Sequence, residues 1–83
     1  MPNALNERTI PTVTNADQIK DLPWAGNHFS DWHLFEGCHK YIVAEDTPAD
    51  EKKKALYEMG LHGMGFDEEV TDKTLQQYLE DSQ

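Results

Sequence analysis

Four side chains that can bind a metal or move a proton fall within twelve positions: His28, His33, Cys38 and His39, with Asp31 and Glu36 among them. Imidazole, thiolate and carboxylate are all zinc ligands. Their order, His-x4-His-x4-Cys-His, is not the spacing of a standard zinc finger. A cysteine next to a histidine also raises nucleophilic catalysis, in which an imidazole activates the thiol. Which of these chemistries is open depends on the element that carries the residues.

Residues 31–44 are the densest aromatic and β-branched run in the chain, and they read as a β-hairpin turning at Glu36-Gly37. Gly37 would supply the positive φ of a tight turn. Alternation along the strands then places Trp32, Leu34, His39, Tyr41 and Val43 on one face, the expected core. His33, Phe35, Cys38, Lys40 and Ile42 take the other. A helix through 31–44 is the rival reading, and a glycine at its middle would cost about 1 kcal/mol.

The hairpin separates Cys38 from His39, leaves no visible oxyanion hole or third catalytic member, and lets at most three of the cluster converge without His28 or His62. The histidines then read as ordinary strand residues and Cys38 as a small buried hydrophobe. No cofactor is expected, and the chain is read as non-enzymatic. A small His/Cys metal-binding protein stays as an alternative. Sixteen acids supply too many accidental carboxylate pairs to single out an acid–base couple.

The flanking elements follow from local signals. Residues 1–14 carry Pro2 and Pro11 and no helical period, so they read as an extended or flexible arm, with residues 9–14 a candidate third strand. Asn15 with Gln18 three residues on makes a capping pattern for a short helical turn over 16–21. Pro23 ends it, Trp24 begins a turn over 24–27, and Trp24 is expected in the core. Thr47-Pro48-Ala49-Asp50 starts a helix over 48–59, with Thr47 as cap and Asp50 paired to Lys54. Gly60, Gly63 and Gly65 are expected to stop it. Their spacing matches no phosphate loop. Thr71 is the expected cap of a last helix over 72–81, with Val70 stapled to Leu75. The sum is a small α+β domain over 15–83: a hairpin, widened to three strands in one version, packed on two short helices. A mostly helical domain with the hairpin as appendage is the alternative.

Charge gives the functional expectation. The 83 residues hold sixteen acids and seven bases, a net charge of −9. Residues 45–83 carry eleven acids against four bases, so the negative charge sits in the C-terminal half. Such a surface repels nucleic acid and anionic lipid and favours a basic protein partner. Asp50, Glu51, Glu58, Asp67, Glu68, Glu69, Asp72 and Glu80, with Glu45, Asp46 and Asp81, are the expected partner-binding residues, and Tyr57 and Phe66 could add aromatic contacts. The reading is a small acidic module that modulates or inhibits a larger protein, in its sharpest form by filling a basic nucleic-acid-binding groove. An accessory subunit of a larger complex is the alternative. Lys52-Lys53-Lys54 reads as a solvated face rather than a nucleic-acid patch. One cysteine, no run near the roughly 20 apolar residues of a membrane span and no signal-peptide pattern at the N-terminus lead to the expectation of a cytoplasmic protein.

Overall fold

A computed structural model describes residues 10–24, 31–63 and 69–82. Among them every regular element is a helix: α1 (Asp17–Lys20), α2 (Trp32–Val43), α3 (Ala49–Gly63) and α4 (Asp72–Asp81). The expected α+β fold is therefore wrong. Residues 31–44 form one helix instead of a hairpin, and residues 10–14 are neither strand nor helix.

The buried positions of α2 explain the correction. Leu34, Cys38 and Ile42 are buried at four-residue spacing, with Phe35 and Tyr41 half-buried beside them. That is the period of an amphipathic helix. Trp32 and Val43, placed inward by the alternating reading, lie on the outer face with 52% and 36% of their surface exposed. Gly37 does not turn the chain. It is buried within α2 and packs against Pro11, where a Cβ would come within 2.7 Å of the Pro11 carbonyl oxygen and 2.9 Å of its Cγ. The glycine serves close backbone approach, a need set 26 positions earlier in the chain.

The local signals fare better. Asn15 Oδ1 accepts the Gln18 N–H at 3.2 Å. Gln18 does not complete the expected box on Asn15. Its side chain instead exchanges two hydrogen bonds with Thr14, accepting from the Thr14 N–H and donating to Thr14 Oγ1. Thr71 Oγ1 accepts the Thr74 N–H, and α4 spans the expected residues. Val70 and Leu75 are both buried in the core, as a staple requires. Helix α3 begins at Ala49 and runs through Gly60 to Gly63, past the expected stop. The Thr47 hydroxyl donates to the Tyr41 carbonyl at 2.8 Å, which secures the corner between α2 and α3.

Helix α3 is the central element, packed against α1, α2 and α4. The core joins Ala16 and Ile19 of the first segment, Cys38 and Ile42 of α2, Ala55, Leu56 and Met59 of α3, and Val70 with Leu75 beside and on α4. Trp24 closes one side as expected. Its Nε1–H donates to the Ile19 carbonyl at 2.7 Å, and its ring stacks on His62 with centroids 5.0 Å apart. No helix of the described residues is long and apolar enough to cross a membrane.

Candidate functional site

The cluster that first pointed to chemistry is dispersed by the helix. Adjacent helical residues point about 100° apart, so Cys38 and His39 leave α2 in different directions. Cys38 is fully buried, and burial pushes its thiol up to about 12. At neutral pH it is a protonated core side chain, not a nucleophile. His39 reaches α4, where its Nδ1 and the Tyr78 hydroxyl hydrogen-bond at 2.6 Å. Burial pushes the Tyr78 phenol up to about 12 as well, with the nearby Cys38 adding to the shift. The Nδ1 of His33 is buried without a hydrogen-bond partner among the described residues, and its ring meets Trp32 edge-on. His62 is stacked on Trp24, with Nε2 3.8 Å from Glu58 Oε1, beyond hydrogen-bond reach. No three His, Cys, Asp or Glu residues converge on a metal-sized position among the described residues. His28 lies outside them.

The expected acidic face is partly spent inside the molecule. Glu51 is half-buried, and its Oε1 accepts the Ala16 N–H at 2.9 Å and the Tyr41 hydroxyl at 3.1 Å. These two bonds, the backbone bond foremost, hold its carboxyl below the usual range. Asp72 pairs with Lys53 at 2.8 Å. Glu58 is half-buried beside His62. Glu80 accepts from Gln76 Nε2 and Asp81 from Gln77 Nε2, each one turn earlier on α4. Asp67, Glu68 and the aromatic Phe66 lie outside the described residues.

The three lysines account for what remains. Lys52 Nζ donates to the Ala44 carbonyl at the end of α2 (2.9 Å), where a cation also suits the helix dipole. Lys53 binds Asp72, and Lys54 sits 3.8 Å from Glu51 rather than pairing with Asp50. The run is thus turned largely onto the chain's own acceptors. Glu45, Asp46, Asp50, Glu69, Glu80 and Asp81 are exposed, with no cation at ion-pair distance among the described residues.

Clefts open on the surface of the described residues. One, of about 460 Å³, is lined by Asp50, Glu51, Lys53, Lys54, Tyr57, Glu69 and Val70. It brings together three of the expected partner-binding acids, but with two lysines among them. Another, of about 480 Å³, runs between residues 10–14 and the α2–α3 corner and includes Gly37, Tyr41 and Pro48. No local pattern of residues marks this second cleft, because the arm and the corner meet only in three dimensions. Comparison with protein-family models, with characterised proteins and with solved structures gives no match.

Proposed function

We propose that this chain is a small non-catalytic binding module that docks its acidic surface on a larger, basic protein and thereby modulates or inhibits it. A partner's nucleic-acid-binding groove is the surface of matching charge. The observation that supports the reading is the engagement of Lys52 by the Ala44 carbonyl and of Lys53 by Asp72, with Glu45, Asp46, Asp50, Glu69, Glu80 and Asp81 exposed and no cation at ion-pair distance from them among the described residues. A surface of this kind attracts a basic partner at long range and speeds its association. Trp32, half exposed on α2, is a candidate aromatic contact residue.

The test is binding to a panel of proteins with basic nucleic-acid grooves, measured at low and high salt, with duplex DNA as competitor. The expected partner binds this chain, loses it as salt rises, and releases it to DNA. Asp50→Lys combined with Glu69→Lys weakens binding by about tenfold, mainly through the association rate. Affinity that is indifferent to salt and to the double charge reversal would overturn the reading.

A further inference from the structure

The ties between elements are unevenly shared. Ala16 with Glu51, Tyr41 with Glu51, Thr47 with the Tyr41 carbonyl and Lys52 with the Ala44 carbonyl all lie within residues 10–63. Most of the buried core, Ile19, Cys38, Ile42, Ala55, Leu56 and Met59 included, belongs to the same part. Helix α4 contributes one buried residue, Leu75, with Tyr78 and Leu79 half-buried and its other residues exposed. We propose that α4 is a lid on Cys38: it undocks as a unit while α1, α2 and α3 stay assembled, and its undocking gives solvent a route to the thiol. The lid is a property of the fold whether or not the acidic surface binds a partner.

The lid covers the thiol through Tyr78 and Leu75. Tyr78 is anchored on His39, the residue next to Cys38 in α2, and the Cys38 sulfur is close enough to raise the Tyr78 phenol. Leu75 belongs to the same buried cluster as Cys38. What holds the lid down is slight. The Lys53–Asp72 pair is exposed, with 89% of the Asp72 side chain in solvent, and such a pair adds little. The cleft of about 460 Å³ opens between Lys53 and Tyr57 of α3 and the Glu69–Val70 lead-in to α4, so packing is incomplete on that side. Elements with few buried apolar contacts and exposed polar ties open at lower free energy than the core. Helix α4 has ten residues, and a helix of that length is marginal on its own in water. Leaving the core and unwinding are therefore one event. Undocking strands no buried charge: Asp72 is already at the surface, and His39 and Tyr78 take water in place of each other. The α2–α3 corner keeps its Thr47 link throughout.

The test follows two readouts in the full chain at rising sub-denaturing urea: native-state amide hydrogen exchange, and labelling of Cys38, the sole cysteine, with a disulfide reagent. Cys38 and the Tyr78 and Leu79 amides are expected to share one opening constant. It should exceed that of the Ile42 and Leu56 amides by at least about tenfold and depend only weakly on urea, because little surface is exposed. Tyr78→Phe raises it about fivefold. Thr47→Ala removes a link that survives undocking, so it speeds exchange at Ile42 and Leu56 and leaves Cys38 labelling unchanged. Glu51→Gln supplies the same comparison if Thr47→Ala does not fold. A single opening constant for all these sites overturns the proposal. So does Cys38 labelling that tracks the Ile19 amide or accelerates with Thr47→Ala, since the thiol is then reached through the N-terminal segment or the global transition. Exchange in α4 that outruns Cys38 labelling also overturns it, because the helix then opens without uncovering the thiol.

Discussion

Glu51 accepts the backbone N–H of Ala16 at 2.9 Å across 35 positions of sequence, and the same oxygen accepts the Tyr41 hydroxyl. One carboxylate of α3 thus ties down the start of α1 and the last turns of α2. Its carboxyl is held below the usual range in the folded chain, so between the folded and unfolded values the unfolded state binds more protons. The contribution is present above about pH 4.3, the unfolded value, and fades as pH falls through the folded one. Glu51→Gln is expected to lower the thermal midpoint at neutral pH, and the gap to the parent should narrow on acidification. A gap that stays constant down to the acid transition would remove the carboxylate's role.

Gly37→Ala sets two effects against each other. Helix propensity alone favours alanine by about 1 kcal/mol. The new methyl would lie 2.7 Å from the Pro11 carbonyl, a backbone atom, so the segment must shift. The substitution is expected to destabilise the full chain and to stabilise a chain that begins at Asn15. Denaturant titration of the four proteins checks the sign reversal. Stabilisation in both backgrounds would show that Pro11 does not restrain position 37.

The Cys38 thiol should react with a disulfide reagent only as fast as the molecule opens, because it is buried and held protonated. Labelling at mildly alkaline pH is expected to accelerate with sub-denaturing urea in step with local opening. Cys38→Ser places a hydroxyl among apolar atoms and should cost about 1–3 kcal/mol. Rapid labelling of the native chain would contradict its burial.

Tyr78→Phe removes the hydrogen bond to His39 that joins α2 to α4, and a loss of about 1 kcal/mol is expected. The phenol ionises at about 12 in the folded chain, against about 10 when unfolded. Its contribution is intact below the unfolded value and declines as pH climbs toward the folded one. Ultraviolet titration of the parent should show a late tyrosine step that the variant lacks.

The features legible in the sequence were those decided within a few residues. The Asn15 and Thr71 hydrogen bonds and the burial of Val70 and Leu75 depend on chemistry confined to about one helical turn. The residues of α2 read as a hairpin because Trp32, Phe35, Tyr41, Ile42 and Val43 suit strands and a central glycine resembles a turn. The four-residue spacing of Leu34, Cys38 and Ile42 was the contrary signal. It becomes decisive only once Pro11 explains Gly37. The acidic residues were readable as a composition but not as a surface. Whether a carboxylate faces solvent or, like Glu51, holds the fold depends on contacts from distant segments. The lysine run, read as a solvated face, is one at Lys54, while Lys52 and Lys53 reach Ala44 and Asp72, acceptors set by distant segments.

Helix α1 finds its principal helical partner in α3, having passed over α2, its neighbour in sequence. This sets an order on assembly as the chain is synthesised. Synthesis delivers the N-terminal segment first, yet Ala16 and Ile19 have no seat until Glu51 and the apolar face of α3 have emerged. The Ala16 end of that segment must therefore wait for α3, although Pro11 has its place on Gly37 once α2 is made.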